Sequence, residues 1–155
     1  PYMVALMTSL VAPLPGDKIL EIGTGSGYQA AILAELAREV HTVERHEELS
    51  AEARAVLGEL GYANIHFHVG DGSVGWPDAA PYDGILVTAG SPQVPPSLRR
   101  QLADGGRLVI PVGPFREQRL HVVTRQGNLY EDIPSCPCVF VKLYGAEGWT
   151  TQEPG

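Results

Sequence analysis

The sequence predicts an α/β fold, a Rossmann-like, doubly wound and mostly parallel sheet that finishes in antiparallel strands. Three observations carry that prediction. Ile19-Leu20-Glu21-Ile22 is a short apolar run followed by alternating glycines at 23, 25 and 27, and then by the helix-forming run Ala30 to Leu36. Strand-sized and helix-sized segments then alternate, an arrangement that demands parallel strands joined by right-handed crossovers. After Pro114 the rhythm changes: Leu120 to Thr124 and Leu129 to Ile133 are two strand-like runs joined by Gln126-Gly127-Asn128, a hairpin signal.

Each element has its own warrant. Pro1 to Ala12 reads as an apolar helix, with Met3, Leu6, Met7 and Leu10 at helical spacing, closed by Pro13-Leu14-Pro15-Gly16. Asp17-Lys18 leads into the first strand, whose apolar run, broken only by Glu21, suits burial on both faces. Val40 to Val43 is a second strand, ended by Glu44; Glu47 to Leu60 is a helix stopped by Gly61. Ile65 to Val69 is a third strand, running into Gly70-Asp71-Gly72. Asp83 to Thr88 and Gly106 to Val112 are the fourth and fifth, with a short helix from Pro95 to Leu102 between them. Val139 to Leu143 is expected as a last strand. Residues 1–155 read as one domain, a length sufficient to bury a real core.

Composition narrows the function. With 44% apolar and 19% charged residues the chain is neither disordered nor membrane-spanning, and no apolar run approaches the ~20 residues a spanning helix needs. The start lacks a basic region followed by an apolar block, so a cytoplasmic protein is expected. A net charge of −7, with only Lys18 and Lys142 as lysines and scattered arginines, excludes a broad nucleic-acid footprint. Cys136-Pro137-Cys138 is C-x-C on one strand face, a poor geometry for bridging, so ordinary thiols are expected. His46-Glu47-Glu48-Leu49-Ser50 opens like a zincin helix but has Ser50 where the second histidine belongs. His66 and His68 share a strand face without an evident third ligand, and no metal is expected.

In a doubly wound sheet, ligands sit beyond the carboxyl ends of the strands, where Gly23 to Gly27, Glu44, Asp71 and Thr88 all fall. Glu44 follows Gly27 by seventeen residues, the place where such a domain holds ribose hydroxyls. A nucleoside-containing cofactor is the expected ligand. The glycines are spaced G-x-G-x-G rather than G-x-G-x-x-G, which disfavours a pyrophosphate. With Glu21 the pattern is E-x-G-x-G-x-G, which resembles the first motif of class I S-adenosylmethionine (SAM) methyltransferases.

Further blocks sharpen the resemblance. P-Y-M-V-A-L-M at Pro1 to Met7, E-I-G-T-G-S-G-Y-Q-A-A from Glu21, V-E-R at Val43 to Arg45, G-D-G-x-x-G-W-P at Gly70 to Pro77 and P-Y-D-x-I-x-V-T-A at Pro81 to Ala89 are similar to the protein-L-isoaspartate O-methyltransferase family. L-x-x-G-G-R-L-V-I-P-V-G at Leu102 to Gly113 and F-V-x-L at Phe140 to Leu143 continue it, so the resemblance covers nearly the whole chain. It implies methyl transfer from SAM to the α-carboxylate of isoaspartyl residues in damaged proteins or peptides. It further implies that Gly23, Thr24, Gly25, Ser26 and Gly27 surround the methionine portion of the cofactor and that Glu44 takes the ribose. Arg45 would lie beside the adenine, Asp71 accept from its amine and Gly72 contribute backbone. Thr88 and Ala89 would line the methyl-transfer pocket, with Tyr144 and Trp149 near the cofactor and Trp76 and Pro77 supporting the adenine loop.

The chemistry accounts for an absence: these residues assemble no Ser-His-Asp set or histidine base. A carboxylate, with a pKa near ~4, is already the nucleophile at neutral pH, and positioning with partial desolvation is the remaining task. Two departures from the family stand out. The family's substrate-binding serine lies two residues before the proline that is Pro1 here, so the chain is expected to be N-terminally shortened, to turn over isoaspartyl peptides poorly and to expose the apolar face of Met3, Leu6 and Met7. Lys142 stands where the family's F-V-P-L has proline. Three alternatives stay open: a carboxylate methyltransferase of peptide natural products, a catalytically silent recognition module, and a nicotinamide dehydrogenase.

Overall fold

The protein is described by a computed structural model over residues 1–150. Five parallel strands, β1 (Lys18–Ile22), β2 (Glu39–Glu44), β3 (Ile65–Val69), β4 (Tyr82–Val87) and β5 (Leu102–Val112), are extended by β6 (Gln118–Gln126) and β7 (Leu129–Cys138). They form one sheet in the order β3-β2-β1-β4-β5-β6-β7. β1 lies between β2 and β4, parallel to both, and the strand order reverses beside it. β5 and β6, and β6 and β7, pair antiparallel.

The helices are α1 (Tyr2–Val11), α2 (Tyr28–Leu36), α3 (Glu47–Glu59) and α4 (Pro96–Arg100). Met7 and Val11 of α1, Leu33 of α2 and Leu57 of α3 pack with Ile19, Val40, Leu86 and Val109 in one buried layer. Leu20, Ile22, Val43, Ile85 and Val87 belong to a second, which packs Leu98 of α4 and Tyr82. Alternation along the strands sends neighbouring apolar residues to opposite layers, so both faces of the central strands carry apolar residues. The expected exposed face on the first helix is absent: Met7 is 1% exposed, and Met3 and Leu6 are half-buried against the same layer. Gln29 Nε2 of α2 donates to Thr8 Oγ1 of α1 at 2.9 Å, fixing the two helices together.

The largest boundary departures from the sequence reading fall in three strands. β5 starts at Leu102 rather than Gly106, and β6 and β7 are both longer than the expected hairpin arms. The expected strand Val139 to Leu143 is absent. That segment instead leaves the end of β7 and lies against the loop after β4, where Gly90 N–H donates to Val141 O (2.7 Å) and Leu143 N–H to Gly90 O (2.8 Å). Two bonds around one glycine do not propagate a ladder. Between β3 and β4 the chain uses two short 3-10 turns, Gly72–Val74 and Pro77–Ala79, in place of a crossover helix. The sheet ends in β3 on one side and in β7, carrying Pro134 and Pro137, on the other.

Candidate functional site

The carboxyl ends of β1, β2 and β4 meet around the glycine turn. Gly23 N–H donates to Val43 O at 2.8 Å, carrying the β1–β2 ladder into the turn, and Gly27 N–H closes it on Thr24 O at 2.9 Å. Gly23 has φ of +95°, and a Cβ there would lie 2.5 Å from Thr88 Oγ1. That crowding has a purpose: the Thr88 hydroxyl is 2.9 Å from Gly23 O and 3.1 Å from Ile22 O and ties β4 to the turn. Gly25 has φ of +53°, and a Cβ there would meet nothing within 4 Å. Gly25 lines a cavity of about 400 Å³, so a side chain would take up ligand space.

Glu44 closes β2 and is buried, 7% exposed. Its Oε1 accepts from Gly25 N–H at 3.0 Å and its Oε2 from His46 N–H at 2.9 Å. Two backbone donors hold the carboxylate in one orientation at the cavity wall while each oxygen keeps a free lone pair. Beneath the turn lies a chain that the sequence did not disclose. Thr24 Oγ1 and Thr42 Oγ1 are 2.7 Å apart, and Thr42 donates to Glu21 Oε1 at 2.6 Å. Glu21 is fully buried with no partner for Oε2 among the described residues. Burial, aided by the Glu44 charge and opposed by the Thr42 bond, pushes its carboxyl up to about 8.

The far wall comes from the segment after β7: Val141, Lys142, Leu143 and Tyr144 line the cavity opposite Gly23, Thr88 and Ala89. Gln118 of β6, 1% exposed, holds that segment by accepting from Phe140 N–H at 2.7 Å and donating to Phe140 O at 3.2 Å. Trp149 Nε1 donates to Gly90 O at 3.1 Å. The Lys142 ammonium stands 5.0 Å from the Trp149 ring and 5.2 Å from the Phe115 ring. Gln118 is a site residue that sequence reasoning missed; a lone glutamine ahead of an apolar strand carries no pattern of its own.

Of the residues expected in the site, Gly23, Gly25, Glu44, Arg45, Gly72, Thr88 and Ala89 line this cavity. Thr24 lies beneath it in the hydroxyl chain, Ser26 is exposed, and Gly27 is buried beside Ala53 and Leu57 of α3. Asp71 borders an adjoining recess with Arg45, Gly70, Tyr144 and Gly145. Its carboxylate caps the first 3-10 turn, with Oδ1 accepting from Ser73 N–H and Oγ and Oδ2 from Ala146 N–H at 2.8 Å. The Arg45 guanidinium lies 5.1 Å over the Tyr144 ring beside that recess. Trp76 stacks on His68, away from the cavity, at 4.0 Å.

Comparison with known proteins bears on this geometry. The family described as protein-L-isoaspartate(D-aspartate) O-methyltransferase matches residues 1–148. The chain belongs to that family. It is 54% identical over 156 residues to a protein-L-isoaspartate O-methyltransferase of Geobacter metallireducens, covering 99% of this chain and 71% of the relative. A Desulfotalea psychrophila protein of the same name is 54% identical, with 96% and 70% covered. A solved protein-L-isoaspartate O-methyltransferase superposes with a TM-score of 0.88 at 30% identity, covering 96% of this chain and 48% of that one. A Plasmodium falciparum structure described as a complex with S-adenosyl-L-homocysteine shares the fold, with a TM-score of 0.76 at 22% identity over 93% of this chain and 74% of that one. The family's fold is thus present from α1 to the segment after β7.

Proposed function

We propose that this chain transfers a methyl group from SAM to the α-carboxylate of L-isoaspartyl residues in damaged proteins and peptides. The observation that carries the reading, beside family membership, is Glu44 held by two backbone N–H groups next to Gly25, at the wall of an open cavity. The residues fit the cofactor. The cavity is within the size range of small-molecule sites, and a Cβ at Gly25 would encroach on it. Gly23, Gly25 and their neighbours Thr24, Ser26 and Gly27 surround the methionine portion. Glu44 accepts from the ribose hydroxyls. Arg45 and Tyr144 flank the adenine, and Asp71 and Gly72 border its edge.

When bound, the cofactor would supply an electrophilic methyl on a sulfonium to a substrate carboxylate oxygen, with a neutral thioether as the leaving group. No proton moves. Thr88 ties the turn that would hold the cofactor to the end of β4. Ala89 and Leu143 bring apolar surface to the cavity, stripping water from the attacking carboxylate. Lys142 offers a cation to an anionic substrate, held by two aromatic rings and without a carboxylate partner among the described residues. Two free thiols, Cys136 and Cys138, accord with a reducing, cytoplasmic setting, and residues 1–155 act as a single domain in this reading.

A radiolabelled-methyl assay on paired isoaspartyl and aspartyl peptides tests the reading. Label on the isoaspartyl peptide alone is the expected result. Equal label on the aspartyl peptide favours a broader carboxylate methyltransferase, and SAM binding without label favours a recognition module. Lys142→Met should raise the peptide KM severalfold while leaving the SAM Kd unchanged.

A further inference from the structure

Away from the cavity, β2 and β3 gather three histidines and a carboxylate on one face. The parallel register sets His41 directly opposite His66, and Glu39 lies two residues before His41 on the same face. The His41 and His66 rings stack with centroids 4.5 Å apart. Glu39 Oε1 is 2.7 Å from His41 Nε2, and the donor atoms of Glu39, His41 and His66 all lie within 4.8 Å of one another. Behind them, His41 Nδ1 is 2.9 Å from His68 Nε2, and His68 stacks on Trp76. We propose that Glu39, His41 and His66 form a zinc(II) site with its fourth position open to solvent.

The donor chemistry and the mechanics both point to zinc. Two imidazole nitrogens and one carboxylate oxygen are a recurrent three-residue zinc set, completed by water. Tetrahedral zinc with ligands at ~2.0–2.2 Å requires donors closer than 4.8 Å. The closure falls on the side chains free to move: His66 is exposed and the Glu39 side chain is 30% exposed, whereas that of His41 is 9% exposed. His41 is pre-aimed. Glu39 Oε1 can only accept, so His41 donates Nε2–H to it; zinc would take that proton's place between the two atoms, with Nδ1–H then donated to His68 Nε2, the outer-partner arrangement that fixes a ligating histidine. Arg38 stands 3.8 Å from Glu39 Oε2 and leaves Oε1 for the ion. Access is open because the β3–β4 connection is two short turns, not a helix. The two strands were too far apart in sequence for this to be read: His66 and His68 lacked a third ligand until β2 was laid beside β3.

Titration of the chain with zinc chloride, followed by calorimetry, tests the proposal, with cobalt(II) as a visible-spectrum probe of coordination. One ion per chain is expected, together with a zinc-dependent rise in Tm. His66→Ala and Glu39→Gln should each abolish that rise and the cobalt band. His68→Ala, removing the partner behind His41 and the stack on Trp76 but none of the three ligands, should weaken zinc by on the order of tenfold. His121→Ala, on β6, should change nothing, and SAM affinity should survive in all four variants. Zinc binding of undiminished affinity in His66→Ala and Glu39→Gln, or no binding by the unmodified chain, would overturn the site.

Discussion

At the scale of single residues, Glu21 on β1 and Glu44 at the end of β2 serve the site in different ways. Backbone donors at Gly25 and His46 hold Glu44 in the orientation that the ribose hydroxyls would meet. Glu44→Ala should weaken SAM binding by on the order of 1.5–3 kcal/mol, the range for a hydrogen bond to a charged group. Calorimetry returning an unchanged Kd would remove Glu44 from the ribose site. Glu21 is useful neutral. Raised from 4.5 to about 8 in the folded chain, it keeps a proton that the unfolded chain releases near the ordinary carboxyl value. The folded state then binds more protons across that window, so Glu21's contribution to stability is full below it and is lost as pH rises through about 8. Urea midpoints measured from about pH 5 to about pH 8 should fall for the parent chain and fall less for Glu21→Gln, which is neutral throughout. Identical slopes would mean that Glu21 is ionised in the folded protein.

At the scale of elements, the first half of the site was legible and the second was not. The glycine turn announces itself because a strand, three spaced glycines and a helix are contiguous, and Glu44 follows at a fixed crossover length. The far wall has no such signature. It depends on Gln118, some twenty residues before the segment it holds, and on Gly90, which accepts Trp149 and pairs with Val141 and Leu143. Val139 to Leu143 looks like a strand by composition, yet its pairing partner is a loop, and long-range contact decided against local propensity. Gln118→Ala removes both bonds to Phe140 and should cost about 1–3 kcal/mol locally. Faster amide exchange at Phe140 and Leu143 and a higher peptide KM are the expected readouts. Unchanged exchange would assign the wall's stability to Leu143 packing instead.

At the scale of the whole molecule, the doubly wound, mostly parallel sheet followed from α/β alternation, because parallel strands need crossovers and right-handed crossovers leave few topologies. What alternation could not tell is which residues become neighbours across strands: Thr24 with Thr42, or Glu39 with His66, are consequences of register, not of any motif.

The outermost strand, β7, has a further consequence. An enzyme that repairs damaged chains meets extended, partly unfolded polypeptide as its daily company, and an open strand edge would capture it by backbone pairing. Leu129 and Ile133 on β7 are 75% and 54% exposed, which makes that edge adhesive in principle. Pro134 and Pro137 lack the N–H groups such pairing requires, and they interrupt the strand over its second half. Replacing both with valine should leave the fold intact but produce concentration-dependent association in sedimentation velocity beyond that of the parent. On this account the two prolines let the protein handle sticky clients without becoming stuck to them.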